Sequence, residues 1–266
     1  TIAKKHVRTH DDGGAIMNTR DRVLSRTAPK RLAFAGALFL VLAAMLAAAA
    51  LVATPRAYAA VGDTFTADIQ VGNLATPCRF TVVSDTATFK TVKIAGEFSG
   101  YDWPELHATG TPAVSPYVTG ELVVPAAVTN DGVTYTVSAL DTGAFYECTG
   151  ITEVTLPQTV LSIGDGAFWW CTGIDELELP GTVMSIGDFA FANCSGIGTI
   201  SAPGAKTIGK FAFANCSGAT ELSLPDTVTT IGNSAFMSCS GLQQVFIPAS
   251  VTSLGESAFV ACTALQ

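Results

Sequence analysis

The hydrophobic positions in the C-terminal half of the chain follow one repeating pattern. The segment Ala-Phe-x-x-Cys occurs six times between residues 144 and 262, and the phenylalanines are spaced by 23, 23, 22, 23 and 23 residues. Between these segments the spacing of apolar residues changes, and glycine and proline mark the bends. A repeat of fixed length predicts a solenoid, in which each short unit stacks on the next.

The second unit contains two hydrophobic spacings in succession. Residues 167–174 place apolar side chains three and four positions apart, which predicts one apolar stripe on a short helical turn. Residues 176–179 alternate Glu and Leu, which predicts a strand with one buried face, and Pro180 then ends that strand. Because 23 residues cannot bury such a face alone, neighbouring coils must share one core, and their strands should form a parallel sheet.

The complete unit reads Ile-Gly-x-x-Ala-Phe-x-x-Cys-x-x-Leu-x-x-Leu-x-Leu-Pro-x-x-Val. This pattern resembles the leucine-rich repeat of the BspA-like type, found in bacterial surface proteins, and it covers residues 137–266 with five full units and a truncated sixth. The resemblance implies an α/β solenoid, a right-handed leucine-rich-repeat coil with a parallel β-sheet on one face and short helical turns on the other. It also implies an exported and often adhesive protein without chemistry of its own.

The residues before the repeats predict a small β-rich N-terminal cap. Residues 60–95 alternate apolar and polar side chains, whereas residues 96–119 are rich in Gly, Pro, Ser and Thr and form either a long loop over the cap or a flexible connection. Residues 120–136 hold the strand half of a repeat followed by Asn-Asp-Gly, a turn signal. They predict a coil zero and a hairpin that leads into the first full repeat.

The third unit departs from the pattern in two ways. It has Ala202 where other units have Leu or Ile, and it is one residue shorter. Ala219 in the next unit is small as well. We expect looser packing between the third and fourth coils.

The first 59 residues differ from the rest in charge. They carry nine Lys or Arg against three Asp, whereas residues 60–266 carry five Lys or Arg against nineteen Asp or Glu. Basic residues precede an uncharged run over residues 32–53, and Ala57-Tyr58-Ala59 supplies the small residues that a signal peptidase requires. We predict that residues 17–59 are a signal peptide cleaved after Ala59. The alternative is an uncleaved membrane anchor.

The two ends of the sequence carry separate predictions. Residues 1–16 precede Met17, and a signal peptide that begins at Met17 would have a basic region of ordinary length. We therefore hypothesise that the protein begins at Met17 and that residues 1–16 are a conceptual translation of the DNA upstream of its start codon. Gln266 falls two residues into the next expected strand. We therefore expect the sequence to be a fragment.

The acidic mature part limits the classes of partner. Nucleic acid and anionic lipid require clustered Lys and Arg, which residues 60–266 lack. We expect a protein or other macromolecule at the cell surface as partner, and no nucleic acid. Contact with a membrane would come only through the signal peptide or an uncleaved anchor.

The seven cysteines suggest metal or redox chemistry, but their pattern favours the core. Equivalent residues of stacked coils point the same way, so their Cβ atoms stay near the strand spacing of about 4.8 Å, beyond the distance of about 3.8 Å typical of a disulfide. No Cys-x-x-Cys pair suggests zinc, and His107 is the only histidine after Ala59. We predict buried free thiols, no metal, no cofactor and no catalytic residue.

Two surfaces are candidates for binding. The outward positions of the predicted strands are acidic and hydroxylated, and they suit a basic or polar protein. These positions are Glu153, Thr155, Asp175, Glu176, Glu178, Thr199, Ser201, Glu221, Ser223, Gln244 and Phe246. Trp169 and Trp170 form the second candidate, since an exposed Trp pair is typical of a contact hot spot. Packing of this pair against the adjoining coil is the alternative.

The sequence thus supports one leading hypothesis and one alternative. The leading hypothesis is an exported, non-enzymatic leucine-rich-repeat binding module, acting as a cell-surface adhesin or a protein-interaction scaffold. The alternative is a structural stalk or spacer for a catalytic or wall-anchoring domain beyond Gln266. Repeat families indicate fold far better than partner, so the sequence does not name a ligand.

Overall fold

The structure of the chain is a computed structural model that describes residues 59–86, 88–102 and 107–266. Residues 1–16 and the predicted signal peptide, except for Ala59, lie outside the described residues. In the part that is described, no helix is long and apolar enough to cross a membrane.

The described residues form strands joined by turns, and no helix is present among them. In the cap and coil zero the strands are β1 (Thr64–Val71), β2 (Leu74–Asp85), β3 (Lys90–Ile94), β4 (Glu97–Asp102), β5 (His107–Thr111), β6 (Thr119–Val123), β7 (Ala127–Asn130) and β8 (Val133–Leu140). In the repeats they are β9 (Gly150–Thr155), β10 (Ser162–Ile163), β11 (Glu176–Glu178), β12 (Ser185–Ile186), β13 (Thr199–Ser201), β14 (Thr207–Ile208), β15 (Glu221–Ser223), β16 (Thr230–Ile231) and β17 (Ser253–Leu254).

Most coils contribute two strands, one to each of two parallel ladders. The predicted ladder joins β6, β9 and β11, and continues as the separate pair of β13 and β15. A second ladder, which the sequence analysis did not predict, joins β8, β10, β12, β14, β16 and β17. After β8, its strands are two-residue Ser-Ile or Thr-Ile segments in register, with Ser-Leu in β17, and such short segments give no visible alternation in the sequence.

The cap connects the two ladders. β1 pairs antiparallel with β6 and with β2, β2 pairs antiparallel with β3, and β3 pairs parallel with β8. The cap strands therefore run across the first coil from one ladder to the other. This arrangement covers the core that the first coil would otherwise expose to water.

The hairpin predicted between coil zero and the first repeat is present. β7 and β8 pair antiparallel, and Asp131 and Gly132 between them have φ values of 49° and 71°. Two consecutive positive φ angles are the requirement of the tight turn that Asp-Gly favours. The Gly-rich segment before coil zero is not only a loop, because β4 and β5 within it pair antiparallel as a separate two-stranded sheet.

The Ala-Phe-x-x-Cys segments are hydrogen-bonded turns rather than helices. In the second unit the amide of Trp169 donates to the Gly166 carbonyl at 3.1 Å, three residues back, and the amide of Phe168 donates to Ala190 of the next coil at 2.7 Å. Gly166 and Trp170 have φ values of 59° and 65°. A residue in the left-handed conformation at each end of this segment breaks the run of right-handed dihedral angles that a helix requires. The predicted apolar stripe is therefore present, but it lies on a turn and not on a helix.

One core runs through the coils, and stacked phenylalanine rings form its centre. Neighbouring rings from Phe145 to Phe259 lie 5.1 to 5.5 Å apart and are nearly parallel. The members are Phe145, Phe168, Phe191, Phe213, Phe236 and Phe259, and all but the last are fully buried. The phenylalanines that recur with the repeat therefore form a continuous spine.

The expected loosening between the third and fourth coils is not observed on the strand face. β13 and β15 pair there in register, and Ala202 and Ala219 are buried. The ladder is instead interrupted on either side of this pair, after β11 and after β15. Small side chains at buried positions are accommodated by close packing and do not themselves separate the strands.

Candidate functional site

The outward side chains of the first strand ladder form an acidic row. Glu121 of β6 aligns with Glu153 of β9, and Glu153 aligns with Glu176 of β11. Glu178 lies two residues further along the same face, beside Thr155. In a parallel ladder, residues that are paired in register lie side by side on the same face. These glutamates are therefore neighbours on adjacent strands.

Negative charge on this face is not balanced by basic side chains of the same strands. None of the residues of β6, β9, β11, β13 and β15 is Lys or Arg. The charge of Glu121, with smaller contributions from burial and from Glu176 and Asp175, raises the pKa of Glu153 above its ordinary value. The direction of this shift indicates repulsion among the carboxylates.

The structure brings most of the predicted site residues onto this face. Glu153 and Ser201 are half-buried, whereas Thr155, Asp175, Glu176, Glu178, Thr199, Glu221 and Ser223 are exposed. A shallow cleft of about 300 Å³ runs beside Glu153, Asp175 and Thr199. Gln244 and Phe246 are exposed as well, but they lie on a segment that does not form a strand.

The Trp pair is not an exposed pair. Trp169 is fully buried in a second apolar cluster on the turn side of the coils, together with Tyr146, Ala192 and Ala214. Trp170 is half-buried and packs against this cluster. The structure therefore favours the packing alternative for Trp169, because a side chain without accessible surface cannot be an open contact site.

Sequence reasoning missed the aromatic residues that extend this second cluster. Phe189 and Phe211 occupy the position that is glycine in the first two units, and both have positive φ, 57° and 54°. Their rings stack at a centroid distance of 4.8 Å, and Phe189 also contacts Trp169 at 5.3 Å. Bulky residues rarely adopt this backbone conformation, so ring stacking compensates for strain at these two positions.

The cysteines occupy the core as predicted. All seven are buried free thiols in the structure. Burial raises the pKa of Cys78 and of Cys148 to about 12, and it also raises the pKa of Cys171 and Cys194. A nucleophilic or metal-binding cysteine needs the opposite shift, toward the thiolate.

The cap contains one polar cluster apart from the strand face. Asp85 accepts a hydrogen bond from the Tyr135 hydroxyl at 2.6 Å and pairs with Lys90 at 2.5 Å. The hydrogen bond from Lys90, and then the one from Tyr135, lower the pKa of Asp85. These contacts join β2, β3 and β8, so the cluster serves to hold the cap on the first coil.

A metal site has no support in the described ranges 59–86, 88–102 and 107–266. No group of three or more His, Cys, Asp or Glu side chains is placed there to hold a metal ion. The carboxylates of the acidic row lie on successive strands of the ladder. This arrangement suits contact with a positively charged surface.

The repeats match a known protein family. The BspA type leucine rich repeat region family matches residues 138–266 in six copies. A comparison with curated proteins gives no match.

Solved structures of bacterial leucine-rich-repeat proteins are similar to the chain. A leucine rich cell surface protein from Faecalibacterium prausnitzii is 26% identical, with a TM-score of 0.50 over 70% of this chain and 53% of that one. A leucine-rich repeat protein from Bacteroides ovatus is 26% identical, with a TM-score of 0.43 over 65% of this chain and 51% of that one. A leucine-rich repeat protein from T. pallidum is 24% identical, with a TM-score of 0.48 over 69% and 91%.

The chain spans about half the length of the first two of these structures. The six matched copies coincide with the six stacked Ala-Phe-x-x-Cys turns and with the ladders that flank them. Residues 138–266 therefore belong to the BspA-type leucine-rich-repeat family.

Proposed function

We propose that the chain is an exported, non-enzymatic scaffold that binds a basic protein partner at the bacterial cell surface through the acidic row of its first strand ladder. The observation that carries this proposal is the alignment of Glu121, Glu153 and Glu176 across three strands. Like charges directly opposite one another destabilise a sheet. Because repulsion within this acidic row opposes folding, we expect the row to be retained where it serves recognition of a partner.

The rigidity of the face supports the same proposal. A solenoid offers a long surface whose outward side chains can vary without disturbing the core. Leu177, which lies between Glu176 and Glu178, is buried, so the two carboxylates are held outward by the packing of their neighbour. The partner would meet charges already in position, which lowers the entropic cost of binding.

Two further considerations support display outside the cell. The similar protein from Faecalibacterium prausnitzii is described as a leucine rich cell surface protein. In this chain, cleavage after Ala59 would make the amino group of Ala60 the new terminus, and that nitrogen lies 2.7 Å from a carboxylate oxygen of Asp63. A charged terminus would have a partner there. Mass spectrometry of the N-terminal peptide from cells tests this point, and a peptide that begins before Ala60 would contradict it.

Charge reversal on the strand face tests the proposed function. We expect Glu176→Lys together with Glu178→Lys to reduce adhesion of chain-coated beads to an extracellular-matrix coat, and added salt to weaken adhesion of the unchanged chain. Asp226→Lys together with Glu256→Lys is the matched control, because both residues are exposed and lie off the strand face. Equal adhesion of the two double variants would overturn the proposal.

A further inference from the structure

The first strand ladder has an open edge after the fourth coil. β13 and β15 pair in parallel, with Thr199 opposite Glu221 and Ser201 opposite Ser223. The matching segment of the next coil, residues 243–247, forms no strand. Residues 244–247 take part in none of the backbone hydrogen bonds of the described chain. β15 therefore lacks the neighbour that its position in the repeat would give it.

The opening is confined to this face of the coil. On the second ladder Thr230 of β16 aligns with Ser253 of β17. On the turn side, the amide of Phe213 donates to the Ala235 carbonyl at 2.8 Å. The fourth and fifth coils are thus hydrogen-bonded to each other on two sides, whereas their strand-face segments are not paired.

The free edge of β15 presents main-chain hydrogen-bonding groups. The amide of Thr220 donates to the Gly198 carbonyl of the preceding coil at 2.9 Å, so this amide points away from the opening. Because successive residues of a strand direct their main-chain groups to opposite sides, those of Glu221 and Ser223 face the opening. Such an edge is a template for another strand.

A cleft of about 460 Å³ lies along this edge, and its lining defines the chemistry that would fit. Its lining residues include Glu221 and Leu222 of β15 and Gln243, Gln244 and Phe246 of the next coil. The Phe246 side chain is 88% exposed, the highest value among the large apolar residues of the repeats. No lining residue is basic. The cleft therefore offers a carboxylate, an aromatic ring and unpaired main-chain groups.

We propose that an extended segment of a protein partner adds to β15 as a further strand. Its main chain bonds to Glu221 and Ser223, and one of its outward side chains is basic and lies beside the Glu221 carboxylate. Another outward side chain, two residues away, is apolar and covers Phe246, as the strand period of two allows. This inference rests on the proposed function, which it deepens by assigning a second contact on the same face and the conformation of the bound segment.

A synthetic peptide tests this inference directly. The probe is fluorescein-labelled Thr-Lys-Thr-Val-Thr-Lys-Thr, which carries a basic and an apolar side chain two residues apart on one face, and its binding to the 266-residue chain is followed by fluorescence anisotropy. We expect N-methylation of alternate amides of the probe, which removes main-chain donors and keeps the side chains, to weaken binding about tenfold. Ser223→Pro removes an amide at the open edge, where proline is tolerated in a strand, and should weaken binding to a similar degree. Phe246→Ala should weaken binding as well.

The outcomes separate this inference from the proposed function. Asp226→Lys together with Glu256→Lys, the control pair off the strand face, should leave binding of the probe within about twofold, because neither residue lines the cleft. If the unchanged chain binds the probe but does not adhere to the extracellular-matrix coat, only the proposed function is contradicted. If the chain binds the N-methylated probe as tightly as the unmodified one, strand addition by a partner is overturned. It is also overturned if the chain self-associates and this self-association excludes the probe. If Ser223→Pro does not fold, amide exchange of the unchanged chain decides, since strand addition must slow exchange at Glu221 and Ser223.

Discussion

The thiol of Cys194 donates a hydrogen bond to the main-chain carbonyl of Phe168 in the preceding coil, at an Sγ–O distance of 3.0 Å. The same carbonyl accepts the amide of Cys171 at 3.1 Å. A carbonyl oxygen can accept two hydrogen bonds, so both of its sites are used. Equivalent thiol bonds occur at Cys171, Cys216, Cys239 and Cys262. In the second to sixth repeats the cysteine therefore links its coil to the previous one.

Replacement of Cys194 tests how much packing at this buried position stabilises the stack. Cys194→Ala removes the sulfur and leaves a small void in a fully buried position, so we expect a loss of about 1–2 kcal/mol in the free energy of unfolding. Urea denaturation at neutral pH measures it. Cys262→Ala is the matched control, because that residue lies in the last coil, where fewer atoms surround it, and should cost less. Equal losses at the two positions would contradict a dependence on packing between coils.

A glycine in each coil allows the backbones to approach closely, and substitution by alanine should show it. A Cβ atom on Gly209 would lie 2.5 Å from the Gly187 carbonyl carbon of the preceding coil, whereas a Cβ atom on Gly181 would have no neighbour within 4 Å. We expect Gly209→Ala to lower the free energy of unfolding by about 1–3 kcal/mol through overpacking. Gly181→Ala, the control, should be neutral or stabilising by about 0.4–1 kcal/mol. Thermal unfolding of the two variants provides the comparison.

The sequence predicted the repeat because the core positions recur with it. Phe168, Leu177 and Pro180 sit where the period and the alternation place them, and the Asp131-Gly132 turn follows from the conformational preferences of two residues. The second ladder could not be predicted, because a strand of two residues such as Ser162–Ile163 has no period to detect. Its existence depends on contacts between coils, which local sequence does not encode.

The candidate site was predictable to a different extent. Outward positions such as Glu176 and Glu178 follow from alternation, so their exposure could be read from the sequence. The burial of Trp169 could not, because it depends on Phe189 and Phe211 at positive φ in the following coils. Nor did the sequence reveal the open edge at β15, since residues 243–247 carry the same spacing as the paired segments.

The buried thiols predict a marked sensitivity to alkaline pH. An unfolded thiol loses its proton near pH 8.5, whereas burial holds the pKa of Cys78 and Cys148 near 12. The unfolded chain therefore releases protons that the folded chain keeps, and stability falls as pH rises from about 8.5 to 12. The slope is up to about 1.4 kcal/mol per pH unit for each thiol. Urea midpoints under reducing conditions at neutral and alkaline pH measure the fall.

Removal of two thiols provides the control for this pH dependence. With Cys78 and Cys148 replaced by alanine, two fewer groups ionise on unfolding, so the alkaline fall in stability should be shallower even though the variant is less stable at neutral pH. Other groups, such as tyrosine and lysine, titrate equally in both chains. Parallel curves for the two chains above about pH 9 would show that Cys78 and Cys148 do not carry the effect.

The acidic row predicts a second dependence of stability on pH, in the acidic range and of the same sign, because the pKa of Glu153 is raised as well. The negative charge of Glu121, followed by burial and by Glu176 and Asp175, raises the pKa of Glu153, so the ionised form of Glu153 opposes folding. We expect Glu153→Gln to raise the melting temperature at neutral pH. The gain should vanish near pH 3, where the glutamate of the unchanged chain is protonated in both folded and unfolded states. Glu256→Gln, an exposed carboxylate off the strand face, should give no such pH-dependent difference. A gain that persists at pH 3 would mean that packing, rather than charge repulsion, is responsible. The proposal that the fold retains a destabilising acidic row because the row serves binding would then fail.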